Sequence, residues 1–302
     1  QGLAAAPPIR IFAGTPHASI YKALAMLGIG RDNLVQVATL PGREAVDPSA
    51  LATALAEWGQ PAIVVANAGT VNTVDYDDLP AILALREQYP FFLHVDGAFG
   101  GFAACSPRYA ALVEGLDAAD SITIDAHKYL NVPYDSAMQF SRHGQIQAAV
   151  FANSAVYLGD QATSTNFINL TPENSRRLRA LPAWFTLMAY GRDGYRQIVE
   201  QTSTLADQLG QRLAESPYFE LLAPVRLNGL CFTFRQFTPT QADVARFLAQ
   251  LQADGRIFLT PTQLFGRPAI RLSISNWRTT SADIDLAYQA LHETYEHWQV
   301  EE

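Results

Sequence analysis

The chain has 302 residues, of which 49% are hydrophobic and 17% charged, so it can bury one large core or two modest ones. Its net charge of −8 comes without any block of lysine or arginine, which argues against nucleic acid as a partner. Cys105 and Cys231 lie far apart, so neither a disulfide framework nor a zinc site is predicted. We expect no membrane span and a cytoplasmic location, because no apolar run could cross a bilayer and the start lacks a signal pattern.

Short apolar runs alternate with helical spacing over the first half of the chain. Strands are predicted at 9–13, 34–40, 62–66, 91–96, 121–124 and 137–142. Helices are predicted between them, from about 18 to 28, 47 to 58 and 78 to 88. Strands and helices that alternate at this spacing indicate an α/β fold with a mostly parallel sheet.

The second half of the chain has a different texture. Residues 144–170 are small and polar with isolated aromatics, which predicts a long functional loop, and Thr171-Pro172-Glu173 predicts the start of a long helix. A smaller α/β unit then follows, with strands near 219–222, 230–235 and 269–275 and helices near 241–253 and 281–298. We therefore expect a large domain over 1–170, connecting helices over 171–215 and a small C-terminal domain over 216–302.

Two predicted strands end in ionisable residues. Taken alone, Lys128 reads as a surface lysine just past a strand, and Asp96 reads as a cap on the turn that follows it. Together they lie where open α/β sheets bind ligands, with the aspartate 32 positions before the lysine (128 − 96). A lysine that loses hydration there can form a Schiff base. This pair is what a pyridoxal phosphate site needs, with the lysine on the aldehyde and the aspartate facing the pyridine nitrogen.

The residues around this pair carry a family resemblance. His94-Val95-Asp96-Gly97-Ala98 and the segment DAHKYLNVPYDS at 125–136 resemble the group II pyridoxal-phosphate-dependent amino-acid decarboxylases, and a bacterial branch in particular. That family includes the aromatic amino-acid and glutamate decarboxylases, and the resemblance covers nearly the whole chain. It implies an aspartate-aminotransferase-like large domain (fold type I) and a small C-terminal α/β domain. It also implies pyridoxal 5′-phosphate as cofactor, an amino-acid substrate and a homodimer whose sites lie between subunits.

The resemblance assigns roles around the cofactor ring. Lys128 would carry the cofactor, and the Asp96 carboxylate would favour the protonated ring nitrogen, which keeps the ring an electron sink. Ala98 would pack on one face of the ring, where a small side chain lets the cofactor approach. His17 would stack on the other face, although a histidine at this place could also simply start a helix. With Lys128 and Tyr157, His17 makes up the expected catalytic set.

Four further residues receive roles from the resemblance. His127 would contact the phosphate, and Asp125 stands where the animal enzymes have a phosphate-binding asparagine. Thr70 would lie near the cofactor hydroxyl and the substrate carboxylate, or be a plain turn threonine. Tyr157 matches the mobile-loop tyrosine that returns a proton to the substrate α-carbon, or is an ordinary surface residue of its loop.

The resemblance also implies a reaction, and it implies that a phosphate-binding segment of the family precedes the matched region. The expected reaction is decarboxylation of an L-amino acid to the amine and CO2 through a Lys128 Schiff base. In the family, a helix start that grips phosphate precedes the region of His17, and nothing before His17 matches it, so we expect the chain to start inside the large domain. An aminotransferase or aldehyde lyase on the same fold and a non-catalytic truncated remnant stay open.

Overall fold

The computed structural model describes residues 2–152 and 167–300, which form two units, each built on one sheet. The first sheet has six strands: β1 Ile11–Ala13, β2 Leu34–Gln36, β3 Ala62–Asn67, β4 Phe91–Asp96, β5 Ser121–Ile124 and β6 Met138–Ser141. Its helices are α1 Ala18–Met26, α2 Pro48–Trp58, α3 Leu79–Ala84, α4 Ala126–Tyr129 and α5 Gly144–Phe151.

The strand order of the six-stranded sheet is β2-β1-β3-β4-β5-β6. The first five strands are parallel and only β6 runs antiparallel, against β5, so the predicted mostly parallel sheet is confirmed. Asn67 pairs with Asp96, and Asp96 pairs with Thr123, which brings the carboxyl ends of β3, β4 and β5 level at one edge. That edge is where an α/β sheet offers space for a ligand.

Local sequence signals explain where these helices begin. Asp47 caps α2 by accepting a hydrogen bond from the backbone N–H of Ser49 at 2.8 Å, with Pro48 in the first turn. Asp78 caps α3 in the same way, through the N–H of Ala81. The apolar faces of these helices pack on the sheet, so the core of the large unit combines helix and strand residues: Leu51, Leu55, Val64, Leu79, Ile82, Leu93 and Val95.

The helical segment α6, Ala180–Glu215, joins the two units, and a kink at Gly191, where φ is 58° and ψ is −170°, divides it into two helices. Before Leu205 its buried residues, such as Tyr195 and Val199, pack in the large core, and from Leu205 on they pack in the second core. The prediction that this helix begins at 171 was wrong by nine residues. The segment before it places Arg177 and Arg179 on Asp135 instead of continuing the helix toward its N-terminus.

The second unit is an antiparallel sheet with order β7-β8-β10-β9, covered by helices. Its elements are β7 Phe219–Leu221, β8 Gly229–Phe234, α7 Gln241–Asp254, β9 Thr260–Leu264, β10 Arg267–Ser273 and α8 Ser281–Val300. Sequence analysis missed β9, because Pro261 and polar neighbours hide the strand pattern. As an edge strand β9 tolerates a proline, and the two-residue turn Phe265-Gly266, with φ of 49° and 76°, closes its hairpin with β10.

The predicted loop 144–170 is partly helical. It contains α5 and a short 3-10 turn at Phe167–Leu170, while residues 153–166 lie outside the described part of the chain. Helix α5 has no side-chain cap and buries none of its residues, which explains why the sequence carries little signal for it. Across the described ranges, none of the helices has the length and apolar character that a membrane crossing requires.

Candidate active site

A cavity of about 350 Å³ opens at the carboxyl ends of β3, β4 and β5. It gathers residues from strand ends, the loops after them and the start of α1. Its lining consists of Thr15, Pro16, His17, Ser19, Ile20, Asn67, Gly69, Thr70, Val71, His94, Asp96, Ala98, Phe99, Thr123, Asp125 and Lys128. Six of the eight predicted site residues are therefore in one cavity, although they are spread over more than 110 positions of sequence.

Lys128 lies in a one-turn helix and not directly at the end of a strand. Asp125 precedes α4, and the i to i+3 spacing places the Lys128 Nζ 3.0 Å from the Asp125 Oδ2. The ammonium also lies 5.4 Å from the centre of the Phe99 ring. With its side chain about one third exposed, Lys128 is reachable from the cavity, whereas Lys22, the only other lysine of the sequence, is on the exposed side of α1.

Asp96 ends β4 and is half-buried at the cavity floor. Its Oδ1 accepts a hydrogen bond from the backbone N–H of Ala98 at 3.1 Å, so the predicted turn-capping role is present together with exposure to the cavity. Because side chains on a strand alternate, His94 lies on the same face, two residues earlier. Burial lowers the pKa of His94 while the charge of Asp96 opposes that shift, and its Nδ1 lies 2.7 Å from the Ser121 hydroxyl.

Close backbone approach shapes the cavity next to Asp96. Gly69, with φ of 97°, contacts the backbone of Gly100 so closely that an added Cβ would lie 2.7 Å from the Gly100 nitrogen. A Cβ on Gly100 would in turn lie 2.5 Å from the carbonyl oxygen of Ala68. Only glycine fits at these two positions, which keeps the loops after β3 and β4 together.

His17 and Ala98 both line the cavity. His17 is exposed and caps α1, with its Nδ1 accepting from the backbone N–H of Ser19 at 3.3 Å. His17 therefore caps the start of a helix, as one of the two predicted alternatives has it. Its position in the cavity also fits the other alternative, in which its ring stacks on the cofactor. Ala98 is half-buried and presents only a methyl group.

His127 is not among the lining residues. The His127 Nε2 is 3.4 Å from the Asp125 Oδ2, and its Nδ1 is 2.6 Å from the Ser136 carbonyl oxygen. Its ring packs on Tyr134, with 4.3 Å between ring centres. His127 therefore contacts the cavity only through Asp125, and Tyr157 lies outside the described residues.

Sequence analysis missed several residues that the structure brings to this region. Asn67 and Phe99 line the cavity, and His94 was quoted in a motif but given no role. The two-residue spacing between His94 and Asp96 on a strand was a usable signal. Glu44 was missed because its partners are 26 or more positions away.

Comparison with known proteins places this geometry in a family. Residues 8–235 match the family described as pyridoxal-dependent decarboxylase conserved domain. Aromatic-L-amino-acid decarboxylase of Bacillus atrophaeus is 29% identical over 90% of this chain and 59% of its own length. L-2,4-diaminobutyrate decarboxylase of Rhizobium meliloti is 31% identical over 92% of this chain and 58% of its own.

Solved structures agree on the fold. The crystal structure of Oryza sativa TDC with PLP and tryptamine superposes with a TM-score of 0.87 at 21% identity, over 96% of this chain and 63% of that one. The chain thus spans less than two thirds of the length of these relatives. The expected fold, an aspartate-aminotransferase-like α/β architecture of fold type I, is confirmed. Because the matched region covers 228 of the 302 residues, the chain belongs to the pyridoxal-dependent decarboxylase family.

Proposed function

We propose that this chain carries out pyridoxal-phosphate-dependent decarboxylation of an L-amino acid to the amine and CO2. One observation carries the proposal: Lys128 and Asp96 share a cavity at the carboxyl edge of the sheet, within the region that matches the family. The family is defined by pyridoxal-dependent decarboxylation, and pyridoxal phosphate is its cofactor.

The residues of the cavity fit that cofactor by their chemistry. Lys128 supplies the amine that binds its aldehyde carbon, and Asp96 supplies the carboxylate that favours a protonated ring nitrogen. Ala98 leaves room for a flat ring, and the exposed imidazole of His17 lines the same cavity. Thr70 and Asp125 complete the set of residues that we propose to surround it.

When bound, pyridoxal phosphate supplies an electron-withdrawing ring that stabilises negative charge at the substrate α-carbon. The protein would contribute orientation and proton control. Asp125 holds the amine of Lys128 at 3.0 Å, which fixes where that nitrogen lies in the cavity. After CO2 leaves, a proton must reach the α-carbon, and we propose Lys128 Nζ or the Tyr157 hydroxyl as its source.

His127 would act at one remove from the cavity. Its contact with Asp125 places an imidazole ring behind the carboxylate that touches Lys128. We propose that it orients Asp125 and offsets its charge on the phosphate side. This would compensate for an acid at a place where the animal enzymes have an asparagine.

We further propose that the active protein is a homodimer. Large apolar side chains are exposed in the first part of α6 and just before it: Leu178, Trp184, Phe185 and Met188 are between 54% and 71% exposed. Exposed large apolar side chains that are close in sequence on a helix are typical of an interface, and obligate dimers bury roughly 2,000 Å² or more. Light scattering at micromolar concentration should give the mass of two chains, and a monomer would contradict the proposal.

We also propose which partners the protein has, where it is located and how the chain is divided into domains. The acidic net charge argues against a nucleic acid partner, and family membership supports a small-molecule amino-acid substrate. The free cysteines Cys105 and Cys231 favour a reducing compartment such as the cytoplasm. The two cores support the division into a cofactor-binding domain (1–170), connecting helices (171–215) and a small domain (216–302).

Borohydride reduction tests the central proposal directly. With pyridoxal phosphate present, reduction followed by peptide mapping should place a pyridoxyl group on Lys128, and a label on Lys22 would contradict it. A panel of L-amino acids should then be assayed for CO2, amine and aldehyde. Consumption of a 2-keto acid without CO2 release would favour an aminotransferase, whereas family membership favours the decarboxylase.

A further inference from the structure

Glu44 is a charged residue without a role in the proposed chemistry, and its side chain is buried, at 3% exposure. It lies between β2 and α2, and its carboxyl group accepts four hydrogen bonds. Thr70 Oγ1, Thr73 Oγ1 and the Thr73 backbone N–H donate to its Oε2 at 2.6, 2.7 and 3.0 Å. Asn72 Nδ2 donates to its Oε1 at 3.1 Å. All four donors belong to the loop that follows β3.

That loop is a wall of the cavity, because Gly69, Thr70 and Val71 line it together with Lys128. A threonine hydroxyl has one proton and two acceptor positions. Thr70 gives its proton to Glu44, and its oxygen accepts from the backbone N–H of Asp75 at 2.9 Å. The Thr73 hydroxyl also lies 3.4 Å from the Thr70 hydroxyl, but Thr73 gives its own proton to Glu44 at 2.7 Å. One acceptor position of Thr70 is therefore left, so Thr70 can accept a hydrogen bond in the cavity but cannot donate one.

The same loop is attached to the small unit. Asn72, which donates to Glu44, accepts a hydrogen bond from the Thr262 hydroxyl of β9 at 2.7 Å. Arg271 of β10 donates to the carbonyl oxygen of Val71 at 3.2 Å. Glu44 is therefore bonded to a loop that contacts the cavity on one side and the antiparallel sheet on the other.

We propose that Glu44 is a positioning residue of the cofactor site. It holds the 69–75 loop against the cavity, takes the Thr70 proton and thereby makes Thr70 an acceptor toward cofactor or substrate. It follows that Thr70 does not donate to a substrate carboxylate. The inference rests on the proposed function, since it assigns Glu44 to the site of Lys128.

Replacing Glu44 should strongly affect the cofactor site, because its carboxylate accepts from four hydrogen-bond donors. Glu44→Ala would leave three side-chain donors and one buried N–H without their acceptor, and the Thr70 hydroxyl would be free to turn. Glu44→Gln keeps one oxygen for the two threonines. Its new amide can pair with the Asn72 oxygen if the Asn72 amide flips, with Nδ2 then donating to Thr262.

The affinity of the full chain for pyridoxal phosphate is the measurement that tests this role. Titration of the apo-protein with pyridoxal phosphate, followed by its visible absorbance, should give a Kd raised about 10-fold or more for Glu44→Ala. Glu44→Gln should stay within about 3-fold of wild type, as should Glu57→Ala, an exposed glutamate on α2 that serves as the matched control. Hydrogen exchange should show lost protection at the Thr73 and Asp75 amides in Glu44→Ala alone.

Two milder variants keep the test decisive if Glu44→Ala does not fold. Thr73→Val removes one donor to Glu44 and should raise the Kd about 5-fold, and Thr262→Val removes only the link to β9 and should raise it less. Unchanged affinity in all foldable variants, even with lowered melting temperatures, would make Glu44 an ordinary buried residue and overturn the inference. If wild type itself gives no pyridoxyl-labelled Lys128, the proposed function fails and this inference fails with it.

Discussion

The carboxyl edge of the parallel sheet and the core of the small unit differ in the kind of side chain that they bury. Around the cavity loop many of the buried residues are polar: Glu44, Asn67, Thr70, Thr73, Asp75 and Asp77. In the small unit the largest fully buried side chains are aromatic: Phe219, Phe232, Phe234, Phe247 and Tyr295. Buried polar groups need satisfied partners, so they fix one geometry, while packed rings stabilise by area with fewer directional demands.

Within one chain, the polar region thus fixes the geometry of the cavity, and the aromatic core contributes to the free energy of folding. Asp75 illustrates the polar side, because it lies at 0% exposure between Arg43 and Arg226, with N–O distances of 2.7 and 3.0 Å. Burial pushes the pKa of Asp75 up, but the hydrogen bond from Arg43 and the charge of Arg226 bring it below its ordinary value. Since Arg226 belongs to the small unit, this pair also connects the two regions.

The largest effect should come from a residue of the cavity with little part in packing. Lys128→Ala should lower amine production by at least about 10⁴-fold, because it removes the nitrogen that binds the cofactor. Thermal unfolding of the apo-protein should change little, since the side chain is partly exposed. Lys22→Ala is the control, and activity retained in Lys128→Ala would remove the basis for the proposed site.

The converse experiment removes a ring from the small-unit core. Phe232→Ala should lower the free energy of unfolding by about 3–5 kcal/mol, because the side chain is fully buried and its ring packs edge-on against the ring of Phe219. Denaturant unfolding measures the loss, with Phe258→Ala, at 70% exposure, as control. Lys128 labelling of the folded fraction should persist. A loss below about 1 kcal/mol would contradict the description of this core as stability-determining.

The polar region should make the free energy of unfolding depend on pH. Burial raises the pKa of Asp77 to about 6, although the N–H groups of Asn67 and Val46 act against that shift. The folded state therefore holds this proton more tightly than the unfolded state, so the contribution of Asp77 to stability falls as pH rises from about 4 to 6, by about 3 kcal/mol.

Asp77→Asn lacks this titration, so its deficit in unfolding free energy relative to wild type should shrink over the same pH range. Urea unfolding at steps between pH 4 and 7 measures the difference. Asp117→Asn, at an exposed aspartate, should instead run parallel to wild type. Parallel curves for Asp77→Asn would show that Asp77 does not titrate there.

The smallest of the four effects concerns Tyr157. Tyr157→Phe removes only a hydroxyl, so cofactor binding should be unchanged while amine release falls about 10²-fold, the usual scale for losing a general acid. The proton would then be delivered at the cofactor carbon, and hydrolysis would release aldehyde while the substrate nitrogen stays on the cofactor as its pyridoxamine form. About one equivalent of aldehyde per site should therefore appear in place of continued amine release. Amine release at the wild-type rate would make Tyr157 an ordinary loop residue and leave Lys128 as the proposed donor.

Local signals in the sequence determined much of the fold. Alternating apolar runs predicted β4 and β5 with the bounds that the structure has, and Asp47-Pro48 predicted the start of α2. Asp96 and Lys128 were found because both follow buried parallel strands, whose carboxyl ends must meet at one edge. These features depend on residues close in sequence, or on the topology that such residues impose.

Only the tertiary structure decided which side chains become partners. Glu44 reads as a surface glutamate until folding brings Thr70 to it across 26 positions, and Thr262 reaches Asn72 across 190. His127, two residues after Asp125, lies behind that carboxylate and not in the cavity, because its ring packs on Tyr134. The physical reason is that strand and helix patterns are set by neighbours in the chain, whereas satisfaction of a buried polar group depends on the position of every element packed around it.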